Sequence, residues 1–189
     1  MRILILADRG SRNYEGADLI VNVTKSAALA RHEVDCVVLS CDELRHCRGC
    51  FDCWVKTPGR CIQAGDQGNA IIGKVINADL VLLLSRVTYG GFSADVKVLL
   101  DRSIPLLSPF FKTIDGQMHH QRRYDRYPYL VAFGYGDFTE GEFKTFGDLL
   151  ERNAINYYAP NYLALPLHDA GAVPQALNGL ADFLKAVEQ

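Results

Sequence analysis

The sequence predicts a doubly wound α/β fold, with five strands in one parallel sheet ordered 2-1-3-4-5 and helices on both faces. Three observations lead there. Short apolar runs alternate with amphipathic stretches along the chain, the pattern of a parallel sheet buried on both sides. Right-handed crossovers leave few topologies for such an alternation. The length of 189 residues suits one substantial domain, so 1–189 is read as a single unit carrying a cysteine-rich loop at 41–63.

In chain order, Arg2–Ala7 reads as a buried strand and Ala17–Arg31 as a helix. Val34–Leu39 is the second strand, and Gln67–Ile76 a modest helix beyond the cysteine loop. Asp79–Leu84 is the third strand. Ser93–Leu107 follows as a helix, with Val96, Leu99, Leu100 and Ser103 on one stripe and Ser93 at the cap. Tyr129–Phe133 is a strand, Glu140–Asn156 a helix, Tyr162–Leu167 the last strand, and Pro174–Val187 a closing helix with proline in its first turn. Met118–Arg123 falls in a long polar, cationic loop, read as solvated, with contact to the phosphates of a nicotinamide cofactor or to a partner subunit's site as the alternative.

The formal net charge is −2, and no basic run marks a nucleic-acid or membrane surface. The apolar start, residues 1–7, is too short for a signal peptide, and no stretch reaches transmembrane length. A cytoplasmic protein is expected. Its six cysteines are therefore thiols, metal ligands or redox groups rather than structural disulfides.

Ligands of such sheets bind beyond the carboxyl ends of the strands. After the first strand, Gly10, Ser11, Arg12 and Asn13 offer backbone N–H groups, a hydroxyl and a cation beside a helix start, as a phosphate requires. This is neither a Walker A motif nor GxGxxG. After the third strand, Arg86-Val87-Thr88-Tyr89-Gly90-Gly91 suits a flat ring system, with glycines letting backbone approach the ring edge and Tyr89 packing on or beside its face. After the fourth, Gly134-Tyr135-Gly136 is a second glycine/aromatic turn at the same end. Together the loops suit a ring-plus-phosphate ligand. One phosphate loop without a second glycine-rich motif favours FMN over FAD.

The cysteine loop follows Cys47-x2-Cys50-x2-Cys53-x7-Cys61. Thiolates at such short spacing suit a 4Fe–4S cluster. Zinc sites usually separate two CxxC pairs more widely, and free, partly buried thiols are the plainest reading. Cys36 falls within the second strand.

The segment Cys47–Cys61, the Tyr89-Gly90-Gly91 turn leading to Ser93-Ala94, and Lys97…Leu100-Asp101-Arg102 resemble the NAD(P)H-dependent FMN reductase and iron–sulfur flavoprotein family. The resemblance spans roughly residues 1–135. It implies a flavodoxin-like fold, FMN as cofactor, NAD(P)H as electron donor, and a homodimer or homotetramer with flavin near the subunit interface. It also implies Cys47, Cys50, Cys53 and Cys61 as cluster ligands. The first loop departs from the family's Gly-Ser-Pro-Arg, and Arg86 replaces an apolar residue where a cation would face the flavin pyrimidine. The expected activity is hydride transfer from the nicotinamide cofactor to FMN and on to an unidentified acceptor, with no side chain acting as acid or base. A flavin/iron–sulfur electron carrier and a thiol or metal sensor are the alternatives.

Overall fold

A computed structural model describes residues 1–26 and 29–188. Five parallel strands form the sheet: β1 (Arg2–Asp8), β2 (Glu33–Leu39), β3 (Leu80–Arg86), β6 (Tyr129–Tyr135) and β7 (Tyr162–Leu167), in the order β2-β1-β3-β6-β7. Counting only these strands, that is the expected 2-1-3-4-5. Two further strands, β4 (Leu107–Ile114) and β5 (Gln117–Arg122), pair antiparallel in a separate hairpin.

Residue alternation along β1 divides the core. Leu4 and Leu6 face Ile71, Ile72, Val96, Leu99 and Phe146 of helices α3 (Gly68–Asn77), α4 (Ala94–Arg102) and α5 (Glu140–Asn156). Ile3, Ile5 and Ala7 face Leu19, Val23, Leu180 and Phe183 of α1 (Leu19–Thr24) and α6 (Val173–Val187). Each strand face therefore buries a separate apolar layer, as period-two geometry demands.

Several boundaries differ from expectation. The helix expected over Ala17–Arg31 is α1 alone, capped by the Asp18 side chain. The Thr24 hydroxyl donates back to the Ile20 carbonyl in its last turn, a bond that competes with helix continuation. Ala27 and Ala28 of that expected helix lie outside the described residues. The helix expected over Ser93–Leu107 stops at Arg102, where Ser103 Oγ donates to the Leu100 carbonyl (2.6 Å) and Pro105 enters a 3-10 turn. Ser93 occupies the N-cap position without a capping hydrogen bond from its side chain; its N–H donates to Ser85 Oγ (2.9 Å).

The polar stretch expected as a solvated loop is instead β5. Asp115 (φ 50°) and Gly116 (φ 77°) form the tight turn that joins it to β4. Nδ1 of His120 bonds the Ser108 carbonyl (3.0 Å), and the Tyr158 hydroxyl donates to the His120 carbonyl (2.6 Å), so the hairpin is docked on the end of α5.

Candidate functional site

Strands β3 and β6 run two residues further than their apolar runs, so Arg86 and Tyr135 stand opposite each other at the sheet's carboxyl edge. Asp8, the last residue of β1, joins them. Its Oδ1 accepts from the Ser11 N–H (3.1 Å) and the Tyr135 hydroxyl, and its Oδ2 accepts from the Arg86 N–H (2.8 Å). Asp8 is 2% exposed, and one buried carboxylate thus fixes the ends of three strands. Burial, then the Asp8 charge and hydrogen bond, raise the Tyr135 phenol far above its ordinary range, so it stays a donor.

A cleft of about 540 Å³ opens over this junction, lined among others by Gly10, Asn13, Arg86, Tyr135, Asp137 and His168. Its volume falls within the range of small-molecule and cofactor sites. Arg86 is exposed, and its guanidinium makes no ion pair among the described residues. His168 is held by its ring against Phe138, with centroids 4.2 Å apart. Gly10 is required by the close approach of Tyr135: a Cβ there would lie 2.5 Å from the phenol oxygen.

The structure sorts the expected binding residues. Gly10, Asn13, Arg86 and Tyr135 converge on the cleft. Ser11 turns inward, fully buried, with Oγ donating to the Asp8 carbonyl (2.6 Å), so its hydroxyl is already committed. Arg12 is exposed. Thr88 and Gly91 exchange two backbone hydrogen bonds (3.0 and 2.8 Å) around Tyr89 and Gly90, both at positive φ. The turn leaves Tyr89 92% exposed. The space beside Gly90 belongs to α5, since a Cβ there would meet Thr145 at 2.8 Å. Gly134 packs against Val87, Phe146 and Phe143, while Gly136 lies beside Arg86. Val87 is core.

The four clustered cysteines share one small cavity of about 20 Å³, together with Arg48 and Arg102. Pro58 and Gly59 make the chain reversal: the Arg60 N–H donates to the Thr57 carbonyl (2.9 Å), with Gly59 at φ 84°. Asn69 of α3 then clamps Cys61 on both sides, accepting from its N–H (3.0 Å) and donating to its carbonyl (2.9 Å). Between Cys50 and Cys61, helix α2 (Asp52–Val55) buries Cys53. The Trp54 indole N–H anchors it on the Leu107 carbonyl (3.0 Å). Burial, with Cys61, Cys47 and Cys50 adding to it, pushes the Cys53 thiol up to about 11. Among the described residues, no group of three or more His, Cys, Asp or Glu side chains is arranged to hold a metal ion.

Asp8, Tyr14, Asp137 and His168 around the cleft, and Asn69 and Arg102 beneath the cysteines, were not among the site residues expected from the sequence. A buried Asp95 and Arg102 on the apolar stripe of α4 carried a usable signal, because buried charges are almost always paired. Arg102 meets Asp66, and Asp95 meets Arg9.

Against known proteins, no family model matches. An iron–sulfur flavoprotein of Methanocaldococcus jannaschii is 35% identical over 104 residues, 54% of this chain and 52% of that protein. An iron–sulfur flavoprotein of Archaeoglobus fulgidus is 30% identical over 95 residues, 50% of this chain and 42% of that protein. Over about half its length the chain is similar to iron–sulfur flavoproteins. The matches span about half the length of these curated relatives or less. In fold, the chain resembles an NAD(P)H:quinone oxidoreductase from Methanothermobacter marburgensis, with TM-score 0.64 at 14% identity, covering 100% of this chain and 98% of that one. An FMN-dependent NADH-azoreductase from Bacillus anthracis in complex with FMN gives 0.62 at 10% identity, covering both chains completely (100%). An oxidised flavodoxin from Bacillus cereus gives 0.56 at 12%, covering 98% of each chain. The fold is flavodoxin-like.

Proposed function

We propose that this chain is an FMN-dependent oxidoreductase that draws electrons from NAD(P)H and delivers them to a separate acceptor, with a 4Fe–4S cluster in its cysteine loop. The observation that carries the reading is the cleft over Asp8, with Gly10, Asn13 and Arg86 around it. The names of the relatives and fold neighbours support the cofactors.

FMN bound in the cleft would supply hydride acceptance and electron release. The chain's residues bind and orient. At Gly10 the first loop would offer a phosphate its backbone, because Gly10 has no side chain, with Asn13 beside it. The unpaired Arg86 guanidinium offers a cation to an anionic group. Tyr135 holds Asp8 and thereby keeps three strand ends in register. Tyr89, projecting from its turn, offers an aromatic face to a flat ring or to the nicotinamide.

Cys47, Cys50, Cys53 and Cys61 would hold the cluster, which would supply one-electron chemistry. They fit it as a donor set: four thiols line one cavity, and metal binding deprotonates its thiol ligands. All six cysteines are unpaired, which supports a reducing, cytoplasmic setting. No helix among the described residues is long and apolar enough to cross a membrane. Exposed Val55, Phe110, Phe111 and Met118 on α2 and the hairpin support homo-oligomerisation.

Cofactor released by heat from anaerobically purified protein should chromatograph as FMN at one per chain; FAD at that stoichiometry overturns the assignment. Rapid NAD(P)H oxidation by the holoprotein is expected, and its absence in flavin-loaded protein would leave an electron carrier.

A further inference from the structure

Beneath the cysteine cavity sits a cation with an unused donor. Arg102, in the last turn of α4, is 1% exposed and forms part of the cavity wall. One guanidinium nitrogen donates to Asp66 Oδ2 and to the Arg45 carbonyl (3.1 Å), and the other reaches the Gln63 carbonyl at 3.5 Å. Its Nε–H has no partner among the described residues. A buried charged donor left unmade is expensive, and such an orphan in an ordered site calls for an explanation.

The surroundings are built to keep Arg102 in place. Gly68, in the first turn of α3, leaves room for the guanidinium, for a Cβ there would stand 2.7 Å from its carbon. Asp66 is held in turn by the N–H groups of Arg45 (2.8 Å) and Gly68 (3.0 Å). The cavity's lining holds two arginines and no carboxylate. Four thiolates around a dicationic cluster core carry net negative charge, and a thiolate-bound zinc ion would as well.

We propose that Arg102 is the buried charge partner of the centre held by Cys47, Cys50, Cys53 and Cys61, its charge and free Nε–H stabilising that centre's more negative oxidation state. The inference rests on the cluster reading above and adds a positioning and tuning residue to it. Adding one electron to the centre makes it more anionic, with no bond made at Arg102 and no proton moved. A nearby cation therefore favours the reduced form and raises the potential.

The test uses the full chain reconstituted without oxygen with iron and sulfide. Wild type is compared with Arg102→Lys, which keeps a charge opposite Asp66, and with the pair Arg102→Gln plus Asp66→Asn, which removes both buried charges together and so avoids stranding one. Iron content is measured first, then the cluster midpoint by dithionite titration through mediators. Both variants should load iron. At the wild-type midpoint, the reduced-to-oxidised ratio should fall about tenfold in the double variant, about 59 mV for one electron, and by less in the lysine variant. Iron-loaded variants with the wild-type midpoint would reduce Arg102 to a structural role and overturn the inference alone. Wild-type protein that takes up no iron overturns the cluster reading, and the inference falls with it.

Discussion

Gly10→Ala tests the junction on which the cleft is built. The new Cβ would stand 2.5 Å from the Tyr135 phenol oxygen, 3.6 Å from the adjacent ring carbon and 3.7 Å from Asp8 Oδ1. Only the first distance is intolerable, so the substitution acts by displacing the hydroxyl from Asp8. A hydrogen bond to a charged partner contributes about 1.5–3 kcal/mol, and overpacking in a tight site adds about 1–3 kcal/mol. Since some displacement relieves the clash, a total of about 2–4 kcal/mol is expected. For a chain of this length that lowers Tm by roughly 4–16 °C.

The decisive companion is Tyr135→Phe. Alone it removes one of the carboxylate's three donors and costs about 1–2 kcal/mol. With the phenol oxygen gone, the alanine methyl meets the ring at 3.6 Å, an ordinary contact. The double variant should therefore match Tyr135→Phe within about 0.5 kcal/mol, a coupling of about 2–4 kcal/mol between the two sites, equal to the whole cost of Gly10→Ala. Urea denaturation of the four proteins gives the cycle. Additive costs, or a Gly10→Ala loss under about 0.5 kcal/mol, would refute the geometry and remove the reason for glycine in the first loop.

Gly90→Ala should destabilise by about 1–3 kcal/mol through the clash with Thr145 and its positive φ. Thr145→Ala should recover part of that loss, because it shortens the opposing side chain; identical unfolding curves for wild type and Gly90→Ala would contradict the packing. Asn69→Ala removes both hydrogen bonds on Cys61 and should cost about 1–3 kcal/mol while lowering iron retained after anaerobic reconstitution. Retention equal to wild type would show that the clamp is dispensable. Burial, and then the N-terminal ammonium, lower the pKa of His32, against the opposing pull of Glu188. The unfolded chain therefore binds the extra proton first, so the His32 contribution is present above about pH 6.5 and lost as pH falls through the lower folded value. His32→Gln should flatten the dependence of the urea midpoint between about pH 7 and 5, and an unchanged slope would rule the histidine out.

The parallel sheet was legible because its signal is collective. Runs such as RILILA and DLVLLL are apolar on both faces, and a strand between two helical layers reads no other way. Helix α5 was legible to the residue because Thr139 and Glu142 form a capping box at its start. The hairpin was missed for the opposite reason. Its strands bury little of their own apolar surface, with Phe110, Phe111 and Met118 exposed, and the hairpin is supported from elsewhere in the chain by Tyr158 and Trp54, both of which meet His120. The local sign was present all the same: Asp115-Gly116, both at positive φ, is a strong two-residue hairpin signal.

The same division between local and collective signals separates the two halves of the candidate site. The cysteine spacing is a local pattern, and those four residues do share a cavity. The cleft depends on which side chains the strand ends bring together, and that is set by register. Ser11, whose type suits a phosphate, is consumed by the Asp8 carbonyl. Asp8, whose charge argues against one, is neutralised as an obstacle by three donors, one from the turn after its own strand and two from the ends of β3 and β6. A carboxylate so fully engaged repels an incoming anion less than a free one, because its lone pairs and much of its field are directed into the junction. With Arg86 exposed above it, the cleft presents a cation to an incoming anion while the acid that orders the loop stays buried.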